Sequence, residues 1–211
     1  IIAGNFLIDG YVIGGEGEVI ASAIESTTDD SGNAGTIHVD VNSLQILNKG
    51  RIVSTTRATG NAGQIIIDAD DIYLSGENTG IGSRANKLSS SHLVTGEIGG
   101  IEIKTSTLTL ANKARIDIES EAEMSQAQLA NRQGNQEILI KNAEYLLVEQ
   151  GAKITTQSTG NVPAAAIRII SSNTRLQNGG EITTSTATAD GGRIVIPASD
   201  HLRLSQDSRI T

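Results

Sequence analysis

The strongest constraint on this chain is an apolar pattern that recurs at intervals of 28 to 38 residues. Each unit contains a glycine-rich segment, an apolar pair spaced two residues apart, a second such pair, and an isoleucine close to serine or threonine. A period of about 20 to 50 residues is typical of stacked structural repeats. The recurring residues, here called the marker isoleucines, are Ile24, Ile52, Ile81, Ile116, Ile154, Ile182 and Ile210.

The spacing inside each unit is that of a β-strand, in which alternate side chains point to the same face. The first pair precedes the following marker by 15 or 16 residues in every unit. We predict that all the paired residues, including Tyr145, face the core. The pairs are Ile37/Val39 with Leu44/Ile46, Ile65/Ile67 with Ile72/Leu74, Ile101/Ile103 with Leu108/Leu110, Ile138/Ile140 with Tyr145/Leu147, Ile167/Ile169 with Thr174/Leu176, and Ile194/Ile196 with Leu202/Leu204.

One such unit cannot bury its own apolar face, whereas stacked units bury it against one another. The sequence therefore predicts an all-β fold, a right-handed parallel β-helix (solenoid) of about seven coils with three short strands per coil. A β-sandwich is the main competing fold, and it predicts short hairpins rather than one fixed spacing. We expect residues 1–23 to form an irregular leading coil. Residues 24–211 are predicted to form a single solenoid domain, as a segment of a longer chain or fibre.

Two further regularities accompany the repeat. The sequence Gly-Asn-Ala-Gly at 32–35 and 60–63 predicts a sharp corner in which glycine and asparagine adopt positive φ. A hydroxyl residue two positions after the marker predicts an inward column, with each hydroxyl bonded to its neighbours or to nearby backbone. The hydroxyl residues are Ser26, Ser54, Ser83, Thr156 and Thr184.

Two adjacent coils are longer than the rest, and both insertions fall between a marker and the next glycine corner. They span about 83–99 and 119–136, so we expect them to lie side by side on one edge. Ser120 and Glu123 have the spacing of a capping box, which predicts a short helix through Ala130 with Ala127 and Ala130 against the solenoid. The polar residues of these loops are the candidate ligand-binding residues: Arg84, Lys87, His92, Glu121, Gln126 and Arg132.

Composition limits the classes of function. The formal net charge of −8 disfavours nucleic acids and anionic membranes as partners, since both attract basic surfaces. There is no cysteine and no apolar run of about 18 residues, so neither a thiolate metal site nor a transmembrane segment is predicted. Asp68, Asp70 and Asp71 lie on or beside a bend, with no histidine or lysine partner expected nearby. We therefore predict no catalytic residues, no metal, no cofactor and no enzymatic activity.

The run from Gly60 to Leu74, GNAGQIIIDADDIYL, and the run GAKITTQSTGN at 151–161 carry a family resemblance. They resemble the repeats of filamentous haemagglutinin-like large exoproteins. The resemblance implies right-handed β-helical fibres that are exported by two-partner secretion and displayed at the bacterial cell surface. The Asn-Pro secretion motifs of that family are absent from this chain.

The resemblance implies an extracellular structural or adhesive role. A rigid spacer of this kind would have a cell-surface or matrix ligand as its partner, bound by the loops. Its coil ends present unpaired strand edges, which favour end-to-end self-association. The alternative function is that of a polysaccharide-active β-helix enzyme, a lyase or hydrolase, which clustered carboxylates in a groove would favour.

Overall fold

The structure, a computed structural model, describes residues 2–13, 15, 19–89, 92–132, 136–197 and 200–211. One short helix, α1 (Gln126–Ala130), lies between the eleventh and twelfth strands. The strands are β1 Ile2–Asp9, β2 Tyr11–Ile13, β3 Val19–Ala21, β4 Ala23–Thr28, β5 Ile37–Leu47, β6 Arg51–Thr56, β7 Ile65–Ser75, β8 Gly80–Ala85, β9 Ile101–Lys104, β10 Thr107–Ala111, β11 Arg115–Ser120, β12 Glu137–Glu149, β13 Lys153–Ser158, β14 Ala166–Gln177, β15 Glu181–Thr186, β16 Ile194–Val195, β17 His201–Leu204 and β18 Arg209–Ile210.

The fold is nearly all-β and is built on two parallel sheets. The first sheet has the order β1-β5-β7-β10-β12-β14-β16, with β9 between β7 and β12 and with β17 beside β14. The second has the order β4-β6-β8-β11-β13-β15-β18. After the antiparallel pair β2-β3, the chain alternates between the two sheets, and each passage pairs with the passages before and after it. This connectivity is consistent with a β-solenoid.

The marker isoleucines lie in register through the whole second sheet, as predicted. Ile24 pairs with Ile52, and the pairing continues from marker to marker as far as Ile210. The five inner markers are fully buried, while Ile24 and Ile210 at the two edges are partly buried. Burial of an isoleucine side chain contributes about 1.5–3 kcal/mol, so this column is a major source of stability.

The prediction of three separate short strands in every coil is wrong. Both apolar pairs of a coil lie within one long strand in β5, β7, β12 and β14, and only β9 and β10 divide them. The coil still bends there, because the inward residues Val41 and Leu44 are three positions apart instead of two. The ladder to the neighbouring coil resumes directly after Asn42, so a bend in direction does not end the strand.

The predicted inward pair Tyr145/Leu147 is also wrong. Leu146 and Val148 are buried, and 59% of Tyr145 is exposed. The register of β12 against its neighbour shifts between Ile140 and Ala143. Asn142 adopts a φ of 62° in this interval, and the extra residue reverses which side chains face inward.

Two other predictions concern the edges of the first sheet. Leu202 and Leu204 have the predicted register with Thr174 and Leu176. They are nevertheless 48% and 42% exposed, because no described strand of this sheet lies beyond β17. At the other edge, β1 pairs with β5, which places Phe6 and Ile8 beside Leu44 and Ile46. The leading segment therefore supplies the apolar pair of a coil, and the β2-β3 hairpin interrupts it.

The glycine corner, defined as Gly-Asn-Ala-Gly at 60–63 and its counterparts, turns for a different reason from the one predicted. None of these glycines has positive φ. A Cβ atom at Gly60 or Gly63 would instead lie well under 3.0 Å from the carbonyl oxygen of Gly32 or Gly35 in the coil below. The same overlap recurs one coil later, at Gly96 against Gly60 and at Gly99 against Gly63. Glycine is required there because consecutive coils approach closely.

The positive φ angles lie at the opposite corner, between the first sheet and the second. We call this turn the asparagine corner. Its central residues have φ between 48° and 75°. A hydrogen bond closes each turn, as in the 2.8 Å bond that the Gly50 amide donates to the Leu47 carbonyl. Two successive residues with positive φ are typical of a type I′ turn. The turn residues are Asn48–Lys49, Asn112–Lys113, Gln150–Gly151, Asn178–Gly179 and Gln206–Asp207.

The hydroxyl column is confirmed and bonds to the backbone. Ser54, Ser83 and Thr156 are fully buried. Ser54 and Ser83 accept hydrogen bonds of 2.8 and 2.9 Å from the amides of Gly63 and Gly99. Thr156 donates to the Ala165 carbonyl at 2.7 Å. The column therefore fastens the second sheet to the glycine corner.

Candidate functional site

The two insertions lie side by side, as predicted. The Glu121 amide donates to the Ala85 carbonyl at 2.7 Å, and the Glu123 amide donates to the Val94 carbonyl at 2.9 Å. The Lys87 amide donates to the Glu121 carboxylate at 2.7 Å, and the Lys87 ammonium lies 2.6 Å from the Glu123 carboxylate. Lys87 and Glu121 are thus brought together, and they hold one insertion against the other.

The other four candidate residues lie apart from this pair. Gln126 is exposed in the first turn of α1, and His92 is exposed with its amide donating to the Ser89 carbonyl at 3.1 Å. Arg84 and Arg132 line two different cavities. The six candidates therefore do not form one site, and their role in binding a ligand remains a prediction.

The helix of the second insertion differs from its prediction. It begins after Ser125, whose hydroxyl accepts from the Gln128 amide while the Gln128 side chain accepts from the Ser125 amide. The capping box is therefore formed by Ser125 and Gln128, and Ser120 instead ends β11. Ala127 and Ala130 are exposed, and Leu129 is the helix residue that packs against the core. Serine followed three residues later by glutamine was the signal available in the sequence.

The best-formed cavity lies on the outer face of the second sheet and is here called the arginine hollow. Gly80 and Gly82 form part of its floor, with Arg51, Arg84 and Arg115 around it and with Asp117, Val53, Asn78 and Thr79 completing the wall. Its volume is about 200 Å³. Gly80 pairs with Arg51 on one side and with Arg115 on the other. Backbone alone therefore separates two arginines that stand one coil above and one coil below it.

A partly buried ion pair crosses the hollow. The Arg84 guanidinium lies 3.1 Å from the Asp117 carboxylate and 3.6 Å from that of Glu119. Asp117 is almost completely buried, and this burial raises the pKa of its carboxyl group above the ordinary value, against the opposing charge of Arg84. A Cβ atom at Gly82 would lie 3.0 Å from Asp117 Oδ2, so glycine leaves the space that this pair occupies.

The remaining charges of the hollow are only weakly paired. The Arg51 guanidinium lies 3.9 Å from the Glu25 carboxylate, which is too far for a hydrogen bond. Arg115 is exposed and has no ion pair among the residues that the structure describes. The Nε atoms of Arg51 and Arg84 are buried and have no hydrogen-bond partner. Three cations thus meet in a hollow of a protein with net charge −8.

Two other surface depressions contain unpaired arginines. Arg132 and Arg193 line a cavity of about 420 Å³ beside Pro163, and Arg132 Nε is buried without a hydrogen-bond partner. A shallower groove of about 710 Å³ on the first sheet contains Tyr145 and Arg175. Both are more open than the arginine hollow.

The acidic residues considered for catalysis have a structural explanation. Asp68 pairs with the Lys104 ammonium at 2.6 Å, so the expectation that no lysine lies nearby is wrong. The two residues are in register on β7 and β9. This ion pair raises the pKa of Lys104, chiefly through its hydrogen bond to Asp68. Among the described residues, no group of three or more histidine, aspartate or glutamate side chains could hold a metal ion.

A scan of protein-family models and searches of curated proteins and solved structures each returned no match to this chain. Within the described ranges, no helix has the length and apolar character needed to cross a bilayer. The arginine hollow was not predicted as a site, although Arg84 was among the candidate residues. Aligning the residue before each marker would have indicated it, since Gly80 stands between Arg51 and Arg115 in that alignment.

Proposed function

We propose that this chain is a rigid spacer in a secreted bacterial exoprotein or fibre at the cell surface. In this proposal, the two parallel sheets are faces of a right-handed β-helix of about seven coils. Each coil advances the chain by about 4.8 Å, so seven coils give a rod of about 34 Å. The observation that carries the proposal is the unbroken register of the seven marker isoleucines.

A spacer has a mechanical requirement that this packing meets. Each passage of the chain is hydrogen bonded along its length to the passages on both sides, and the buried isoleucines are stacked in one column. The structure can therefore gain or lose whole coils without a change in the packing of those that remain. The resemblance of the repeats to those of filamentous haemagglutinin-like exoproteins supports the cell-surface setting.

Removal of one whole coil tests the spacer directly. Deletion of residues 154–181 joins Lys153 to Ile182, so that Ile182 takes the place of Ile154 in the ladder. We expect a folded protein with an unchanged circular dichroism spectrum per residue and a parent fibre shorter by one coil. Deletion of residues 154–167 removes half a coil and should prevent folding. Equal disruption by the two deletions would contradict the proposal.

We also propose that the paired insertions provide the adhesive surface of this segment. Their polar side chains project from one edge, and the ion pair of Lys87 with Glu123 keeps them together. Replacement of 86–95 and 123–132 by short glycine-serine turns, in cells that display the parent protein, should reduce adhesion to host or matrix surfaces. A matched change at the glycine corner of the first coil, residues 29–33, should leave adhesion intact. Unchanged adhesion after loss of the insertions would reject this role.

A further inference from the structure

We propose that the arginine hollow binds the carboxylate of an acidic sugar, a hexuronate. This site differs from the paired insertions, and the inference does not depend on the spacer role. It rests on three properties of the hollow: unpaired cationic donors, a floor without side chains, and a ring of acceptors suited to hydroxyl groups.

The donors point to an oxyanion. Arg51 and Arg115 lie on the coils on either side of Gly80, so their Cα atoms are about 10 Å apart. Two arginine side chains can reach one group placed between them at that separation. Neither has an ion partner closer than 3.9 Å among the described residues, and Arg51 Nε is buried without an acceptor. A carboxylate supplies the pair of oxygens that a guanidinium fork binds.

The floor gives the ligand access to the backbone. Gly80 and Gly82 have no side chains, while the equivalent outward positions in the neighbouring coils carry Arg51, Val53, Arg115 and Asp117. The hollow is therefore one coil high. Its volume of about 200 Å³ is below the usual range for a drug-sized ligand, so it fits one charged group with part of a single sugar ring.

The acceptors favour a sugar over a simple anion. The carboxylate of Asp117 and the side chain of Asn78 lie in the wall of the same hollow. Arg84 binds Asp117 and offsets its repulsion of an incoming anion. A hexuronate can place its carboxylate between Arg51 and Arg115 and direct its hydroxyl groups toward Asp117 and Asn78. A simple inorganic anion would leave these latter groups unused.

The amide signals of Gly80 and Gly82 provide a direct test. Galacturonate, added to the ¹⁵N-labelled protein at low ionic strength, should shift both signals saturably, and galactose should leave them unchanged. Arg51→Gln and Arg115→Gln should each weaken the affinity at least tenfold. Arg203→Gln, which alters an exposed arginine on the other sheet, serves as the matched control and should not weaken it. The melting temperature of each variant verifies that it is folded.

Several outcomes would overturn the inference. They are the absence of any shift with galacturonate, equal shifts with galactose, and an affinity that neither arginine substitution changes. Sulfate that binds as tightly as galacturonate, with the same dependence on Arg51 and Arg115, would show a general anion site and would exclude the uronate assignment. The coil deletions measure folding and length, so their failure would be distinguishable from failure here.

Discussion

The glycine corner and the asparagine corner turn the same coils by different means. At the glycine corner, Gly60 and Gly63 have ordinary φ angles, and the coil below leaves no room for a Cβ atom. At the asparagine corner, residues such as Asn48 and Lys49 have positive φ, and their side chains are free to vary. One corner is limited by contact between coils and the other by the backbone of a single coil. Glycine in a repeat can therefore report either restriction.

The comparison predicts its largest effect at Gly63. The Gly63→Ala substitution should destabilise the protein by about 3 kcal/mol, because the new Cβ atom overlaps the Gly35 backbone and neighbouring coils must separate. The control is Gly35→Ala, where the Cβ atom would lie 3.6 Å from Ser26 Oγ in ordinary contact. Urea unfolding of both variants measures the difference. Equal losses of stability would contradict the role of close approach.

The buried hydroxyl that fastens the glycine corner should have the next largest effect. Ser54→Ala leaves the Gly63 amide without its 2.8 Å acceptor and should cost about 2 kcal/mol. Ser26→Ala provides the control, since Ser26 has the same register position but is only partly buried on the edge strand. Thermal unfolding should show a clearly larger decrease for Ser54→Ala. A neutral Ser54→Ala variant would show that this bond does not hold the corner.

The asparagine corner predicts a change of opposite sign. Lys113 has a φ of 66°, so Lys113→Gly should relieve strain and stabilise the protein by about 1 kcal/mol. Gly151 already occupies the equivalent turn position in the next coil. The same substitution in a strand, Lys153→Gly in β13, should instead destabilise by about 1 kcal/mol. Chemical denaturation of both variants tests the contrast, which fails if the two changes have the same sign.

The smallest effect is electrostatic and lies just after the asparagine corner. Glu181 contacts Lys153 and Arg209, each at 2.8 Å. Burial alone would raise the pKa of Glu181, but these two cations lower it below its ordinary value of 4.5. The lowered pKa contributes stability at neutral pH that is lost as the pH falls from 4.5 through the value in the folded protein.

Glu181→Gln should therefore cost less than about 1 kcal/mol at pH 7, and the difference from the wild type should shrink as the pH falls below 4.5. Melting temperatures measured across this range test the effect. A difference that grows in acid would contradict the assignment. Glu137→Gln, at a carboxylate on another strand without a shifted pKa cause in this cluster, is the control for the loss of one charge.

Most of the core followed from the sequence because a period of two is a direct consequence of strand geometry. The marker isoleucines needed no other information. Tyr145 was misplaced because the extra residue at Asn142 changes the parity within one strand, and no local residue pattern requires that bulge. Its only signal was the 16-residue interval between Ile138 and Ile154, where the preceding coil has 15.

The functional features were less predictable because they depend on neighbouring coils. Gly80 acquires meaning only when it is placed between Arg51 and Arg115, which are far from it in sequence but adjacent in the ladder. Glycine at the corner was identified, but its cause was assigned to φ, because contact between coils has no local signature. The insertions were located correctly, whereas the helix start at Ser125 lay five residues later than predicted.

Distances along the stacked outer face of the first sheet test the central claim of parallel coils in register. The exposed residues Leu7, Arg175 and Arg203 belong to one column, in which each member pairs with the next through Gln45, Tyr73, Thr109 and Leu147. The chain has no cysteine, so two introduced cysteines can be spin-labelled selectively.

Electron–electron resonance on labelled Leu7→Cys/Arg175→Cys and Leu7→Cys/Arg203→Cys proteins measures the two separations. Five and six coil steps predict about 24 and 29 Å, with the longer distance in the second protein. Distances that are equal, reversed in order or unrelated to the number of coils would contradict the stacked arrangement.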